Sequence, residues 1–408
     1  MKIIKNLSWT FFANLFVGLT KWLVIVLIAR FLSPIEVGIY SLAFAITAPI
    51  TLFANMKLRS LYVTGDNESF SNYIYSRNGI TVLTIATLLI IGILIYPEYF
   101  MIIMLVGATK VLDLQSDIYY ALPHKDNEMD LIGKLMIVKH LTILFSFSIT
   151  MIISENLILS LFIQILIQIL FLYFIEINII NSKYKYVKNY SIKAVKKILL
   201  LGLPLGLVQM LVSLNTAIPR YLLEFIESPQ VLGYFSAIAY IITIGNTMMN
   251  SITQNFLPML SEKIRNNKFN SFKRLVFIKL SLFSFVLGSA LIIGSFLFGE
   301  VFLGIVYGKE YADYNHILIL MSVALTINFI SWNFDTALLS LRYISIQPKI
   351  AFFILVINLF LSYFLIKENG IYGAAFSMII INLIQLFLRT FFVRSKLNEM
   401  ESTNLNLN

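Results

Sequence analysis

Charged and amide side chains sit inside long apolar runs of this 408-residue sequence, and they are its candidates for chemistry. A charge at the centre of a membrane helix costs about 2.5–3.5 kcal/mol on insertion scales, so it persists where it faces a bundle interior or a watery cavity. Lys21 lies near the middle of the first run, with Thr10 and Asn14 on its face. Lys110, Asp113 and Asp117 fall at i, i+3 and i+7 of the fourth run, on one helical face. Two readings stand for these three. Either Lys110 and Asp113 bridge and neutralise each other, or the set is functional and Asp113 and Asp117 couple to ions.

The second half of the chain is richer in amides. Gln209, Ser213, Thr216 and Arg220 recur at helical spacing, and Thr243, Asn246, Thr247, Asn250, Ser251 and Gln254 form a polar stripe almost the length of their run. Asn328, Ser331, Trp332 and Asp335 share a later run, and Asn382, Gln385 and Arg389 share the last. One buried Asn would serve as glue between helices, worth ~0.6–2 kcal/mol. A stripe of about three turns exceeds that need and predicts a hydrated cavity lined by Asn14, Gln209, Asn246, Asn250, Gln254, Asn328 and Asp335. Lys21 and Arg220, with Lys110 as a third cation, would hold an anionic group there by charge-assisted hydrogen bonds, while amides and hydroxyls satisfy sugar hydroxyls. Arg220 also reads as a cation snorkelling to the outer interface at the end of its run.

The elements that position these residues follow from composition. The chain is 59% hydrophobic and 13% charged, against about 25% charged in a soluble domain, so its apolar surface must face lipid. The expected fold is an all-α polytopic membrane protein of about twelve helices. Spans fall near 9–31, 37–56, 79–97, 99–120, 132–153, 157–179, 198–219, 231–256, 275–298, 314–338, 349–366 and 371–393, each close to the ~20 residues a crossing requires. The first span runs straight into others, as a membrane helix does and a cleaved leader does not.

With the N-terminus inside, 22 Lys and Arg fall in inside segments and three (Arg220, Lys309 and Lys367) in outside loops. This asymmetry predicts cytoplasmic N- and C-termini. It also explains the net charge of +10 without nucleic acid as a partner. Residues 1–180 and 198–393 are expected to form two six-helix lobes joined by a basic cytoplasmic linker, 181–197, with a cytoplasmic tail at 394–408. An internal repeat supports the division: Ser33-Pro34, Gly38 and Ser41 recur as Ser228-Pro229, Gly233 and Ser236. Ser caps free N–H groups and Pro suits a first turn, so both copies open a helix. Both lobes begin inside, which predicts a pseudo-two-fold axis along the membrane normal, as in transporters with two parallel repeats.

Several chemistries are excluded. The absence of Cys removes disulfides, thiolate metal sites and Cys nucleophiles, and His124, His140 and His316 are too far apart for metal-ligand motifs. No Walker A, GxSxG or kinase signature occurs. Asp113 and Asp117 lack an acid–base partner among their neighbours, and no long outer loop exists to hold the acceptor of a membrane glycosyl polymerase. The chain is expected to be no enzyme and to need neither cofactor nor metal.

Ala29-Arg30-Phe31-Leu32-Ser33-Pro34, continued by Glu36-Val37-Gly38-Ile39-Tyr40-Ser41, resembles the first outer turn of Wzx-type oligosaccharide flippases. These belong to the multidrug/oligosaccharidyl-lipid/polysaccharide exporter superfamily. Gly202-Leu203-Pro204-Leu205-Gly206, Ile218-Pro219-Arg220, Leu232-Gly233-Tyr234-Phe235-Ser236, Tyr307-Gly308-Lys309-Glu310-Tyr311 and Gly370-Ile371-Tyr372-Gly373-Ala374-Ala375 are similar to later stretches of the same family, in order. The resemblance covers residues 6 to 393. It implies two bundles around a basic cavity and a bacterial cytoplasmic-membrane location. The implied substrate is a polyprenyl-pyrophosphate-linked oligosaccharide moved from the inner to the outer leaflet, with membrane lipid and other polysaccharide-assembly proteins as partners. Lys21 and Arg220, and then Lys110, are the matching cavity cations. A cation-coupled multidrug antiporter of the same superfamily, working through Asp113 and Asp117, is the alternative.

Overall fold

The computed structural model describes residues 2–65, 68–186 and 189–405. The side chains of Lys2, Lys5, Thr10 and Ser251, and all of Lys188, fall outside the described set. Among the described residues the chain is helical, without strands. Six membrane helices come first: α1 (Lys2–Phe31), α2 (Pro34–Asn55), α3 (Phe70–Leu94), α4 (Phe100–Tyr119), α5 (Met129–Ser154) and α6 (Leu157–Leu170). The last of these continues through a π-helical segment, Phe171–Glu176, to Ile177–Lys183. Then come α7 (Ile192–Ile226), α8 (Pro229–Gln254), α9 (Ser281–Val306), α10 (Asn315–Ser340) and a final stretch, Ile346–Leu405.

Among the described residues eleven stretches are long and apolar enough to cross a membrane, and the last, Ile346–Ser402, is 57 residues long. At about 1.5 Å per residue it is far longer than the ~30 Å hydrocarbon core. Its backbone leaves helical geometry at Gly370 (φ 54°, ψ −131°), a conformation glycine adopts without Cβ strain. A Cβ on Gly373 would lie 2.0 Å from the Leu365 carbonyl oxygen, so the chain doubles back there. The two arms, α11 (346–369) and α12 (371–405), complete the twelve crossings.

The chain divides into two compact units, Met1–Tyr221 and Leu222–Asn408. The first has a core around Met56, Leu58, Phe70, Ile118 and Ile198, the second around Phe272, Val276, Leu338 and Ile354. Both copies of the Ser-Pro repeat form the expected caps. Ser33 Oγ accepts from the Ile35 N–H at 3.2 Å and Ser228 Oγ from the Val231 N–H at 3.3 Å, each with Pro in the first turn. In the first unit α7 lies close against the end of α2: a Cβ on Gly206 would stand 2.4 Å from the Phe53 carbonyl oxygen, the tight packing that Gly-x-x-x-Gly permits.

Helix extends further into the connectors than the spans anticipated. Among the described residues of the basic segment between α6 and α7, those outside helix are 184–186 and 189–191, and α12 runs on through Leu405. Arg77, counted with the inside loops, is fully buried in α3. It donates to the Ala54 carbonyl at 2.7 Å and the Asn55 carbonyl at 3.0 Å, closing the negative C-terminal end of α2 where cations are stabilising.

Candidate functional site

Helices α1, α2, α4, α5 and α6 of the first unit enclose a partly open pocket with about 560 Å³ of unfilled space, its open mouth included. Lys21, Lys110, Asp113, His140, Tyr40 and Gln168 are among its lining residues. The structure thus brings together three of the predicted site residues. Lys110 Nζ donates to the Phe44 carbonyl at 3.0 Å and stands 3.3 Å from the centroid of the same residue's ring. That cation–π contact holds the ammonium on the pocket wall without a carboxylate.

Of the two readings of this set, the Lys110–Asp113 bridge does not form, and another pairing takes its place. Asp113 Oδ1 meets Lys139 Nζ at 3.1 Å and accepts from Gln168 at 2.9 Å, while Oδ2 faces Lys21 at 3.9 Å. Behind Asp113 the polar chain continues inward. Lys139, 3% exposed, donates to Ser116 Oγ at 2.7 Å and lies 3.9 Å from Glu176, which is wholly buried. Ser116 donates to Glu176 at 2.5 Å, and the Tyr120 hydroxyl donates to its other oxygen. The buried Glu176 carboxylate and the buried Lys139 ammonium thereby satisfy each other, as burial of charge requires, and Lys139 also holds the partly exposed Asp113.

Asp117 belongs to a separate cluster. Arg59 approaches it at 3.4 Å and Asn55 donates to it at 3.5 Å. Arg59 Nε also donates to His124 Nδ1 at 3.0 Å, a bond that needs the neutral imidazole. Burial, with the Arg59 charge beside it, holds His124 below the ordinary imidazole range.

Elsewhere in the first unit, Asn14 is exposed on α1, Gln209 donates to the Leu52 carbonyl at 3.3 Å, and Arg220 donates to the Thr216 carbonyl at 2.8 Å. In the second unit Asn328 donates to Asn246 at 2.9 Å, tying α10 to α8, and Gln254 donates to Asn250 at 3.0 Å along α8. Asp335 pairs with Arg389 at 2.9 Å, and Arg389 also donates to Ser331 Oγ at 2.9 Å and lies 5.5 Å from the centre of the Trp332 ring. Thr243, Thr247 and Gln254 on α8 are exposed.

The model of a family described as "Polysaccharide biosynthesis protein" matches residues 3–263. The chain belongs to this family. It is 32% identical over 398 residues to the capsular polysaccharide biosynthesis protein CapF of Staphylococcus aureus, covering 96% of this chain and 99% of that one. Its fold is similar to that of the lipid II flippase MurJ, with a TM-score of 0.76 at 14% identity over 97% of this chain and 90% of that chain. It is also similar to a multidrug resistance transporter of the MATE family and MOP superfamily, with a TM-score of 0.74 at 13% identity over 98% and 96% of the two chains. The all-α polytopic fold expected from the sequence is therefore borne out, as is the expected kinship with polysaccharide-assembly proteins.

Within this polysaccharide biosynthesis chain, Lys139 and Glu176, along with Tyr40, His140 and Gln168 of the lining, are residues that spacing did not flag. A lysine beside His140 inside the fifth span was the available signal, since any intramembrane ionisable residue marks a candidate site. Glu176 carried a weaker one, standing three residues from the expected end of its span.

Proposed function

We propose that this chain moves a polyprenyl-pyrophosphate-linked oligosaccharide from the inner to the outer leaflet of a bacterial cytoplasmic membrane, by alternating access, for assembly of a surface polysaccharide. Family membership and likeness to CapF support the polysaccharide role. The observation that carries the transport reading is that Lys21 and Lys110 line one partly open pocket within a membrane-embedded unit. Lys21 is half-exposed and only loosely engaged by Asp113, so its ammonium is available to a phosphate. Arg220 adds a further cation on α7, and the exposed hydroxyls and amides of α8, with Asn246, Asn250 and Asn328, supply partners for sugar hydroxyls. Termini on the cytoplasmic side and a basic linker at 181–197 between lobes 1–180 and 198–393 complete the proposal, resting on the 22-to-3 asymmetry of Lys and Arg.

Complementation of a strain lacking its own copy of the gene tests this reading. Lys21→Ala and Lys110→Ala are expected to reach the membrane at normal levels yet lower surface polysaccharide at least about tenfold, with the lipid-linked repeat accumulating on the cytoplasmic side. Wild-type polysaccharide from both variants would remove the pocket from the transport path.

A further inference from the structure

Asp113 sits where an anionic headgroup would have to bind. Its carboxylate lines the same pocket as Lys21 and Lys110 and points one oxygen at Lys21. The other oxygen is fixed from behind by Lys139 and Gln168. Lys139 is in turn locked by Ser116 and Glu176 in a fully enclosed site. The front contact is long and half-exposed, and the rear contacts are short and buried. Asp113 is thus held firmly in place while Lys21 remains movable. Lys21, Lys110 and Asp113 line the pocket together, so one carboxylate already stands where the negative charges of a diphosphate would bind.

We infer that Asp113 is a built-in competitor for Lys21: it weakens binding of the diphosphate headgroup enough for the headgroup to leave, and the Lys139–Glu176 pair positions it. This rests on the proposed function and deepens it. A carrier site must be favourable enough to fill and weak enough to empty. An anion bound at Lys21 and Lys110 lies beside a fixed like charge, which lowers affinity without denying access. Binding that is uniformly too tight slows turnover. Asp113 is a specificity-determining residue on this view, while Lys139 and Glu176 act through it and are positioning residues.

The test uses the full chain in lipid nanodiscs with farnesyl diphosphate as the probe, together with surface polysaccharide in complemented cells. Asp113→Asn is expected to bind the probe about tenfold more tightly while polysaccharide output falls. Asp113→Glu, which keeps the charge and extends it toward Lys21, is expected to bind several-fold more weakly. Removing the clamp without stranding a charge, as Lys139→Met with Glu176→Gln, is expected to shift affinity only while Asp113 is present, so that adding Asp113→Asn erases the shift. If Lys21→Ala weakens the probe but Asp113→Asn binds no more tightly than wild type, the competitor role is overturned and the headgroup site stands. If wild type does not bind the probe, or Lys21→Ala leaves binding unchanged, the headgroup site fails and the competitor role falls with it.

Discussion

The first unit encloses Lys139 and Glu176 completely, and the charges that begin there run outward through Asp113 to Lys21 at the lip of a pocket. In the second unit, Arg389 and Asp335 form a closed pair at 2.9 Å, with Ser331 and Trp332 taking up the rest of the guanidinium. Both units open a helix with the same Ser-Pro cap, so the contrast lies in what each scaffold does with its charge. Arg389 and Asp335 satisfy each other where they stand, as a structural pair does. The first unit instead leaves an ammonium half-exposed beside a carboxylate anchored elsewhere, an arrangement that leaves room for a third, anionic partner. Fixed charge with a movable counter-charge is the feature that separates a binding site from a strut.

The largest effects expected from this contrast are on stability. Lys139→Met leaves Glu176 buried and uncompensated and should destabilise the protein by about 3–5 kcal/mol. The double variant Lys139→Met, Glu176→Gln should recover most of that loss. Arg389→Met should cost less, roughly 2–3 kcal/mol, because Asp335 is 18% exposed and retains access to water. Thermal unfolding in detergent, followed by size-exclusion recovery, ranks the three. Equal losses for Lys139→Met and Arg389→Met would show that the two networks are energetically alike and that the distinction is only geometric.

The twelve spans were legible because a bilayer imposes a length and a polarity that no other solvent does. The Ser-Pro openings were legible because capping is local chemistry, and both caps formed. Lys21, Lys110 and Asp113 stood out as charges in apolar runs, and the structure gathers them at one pocket. Their partners were harder to see. One of the two readings of Asp113 paired it with Lys110, its neighbour on the same helix, whereas the structure pairs it across helices with Lys139 and Lys21, contacts that no spacing within one segment encodes. Glu176 stands three residues from the expected end of its span at 179; the helix instead extends through a π segment to Lys183, and Glu176 is wholly buried. Asp117 shares a helical face with Asp113, yet it is taken by Arg59, a residue that read as part of a connector.

A smaller effect probes what the units share. Ser33→Ala and Ser228→Ala each remove one side-chain cap and should each cost about 1 kcal/mol, measured as equal shifts in unfolding midpoint. Ser33 Oγ also donates to the Glu36 carboxylate, so Ser33→Ala carries any excess. A larger loss at Ser228 would mean that the repeat is equivalent in sequence but not in load.

The smallest expected effect concerns the amides of α8. If the Asn246–Asn328 bond is a strut, Asn328→Ala costs about 0.6 kcal/mol of stability, the average for such bonds between membrane helices, and transport is unchanged. If the α8 face receives sugar, the same substitution lowers polysaccharide output several-fold at that same small stability cost, because a hydroxyl that loses its amide partner is left unpaired in a site drier than water. Thr243 provides the control for this choice: it is exposed, and its hydroxyl donates back to the Ala239 carbonyl at 3.1 Å, so Thr243→Val removes polarity from the face while the Asn246–Asn328 tie stays in place. Output that falls with Thr243→Val as well as Asn328→Ala assigns the stripe to substrate. Output that ignores both leaves the first unit's charged pocket as the place where the solute is recognised.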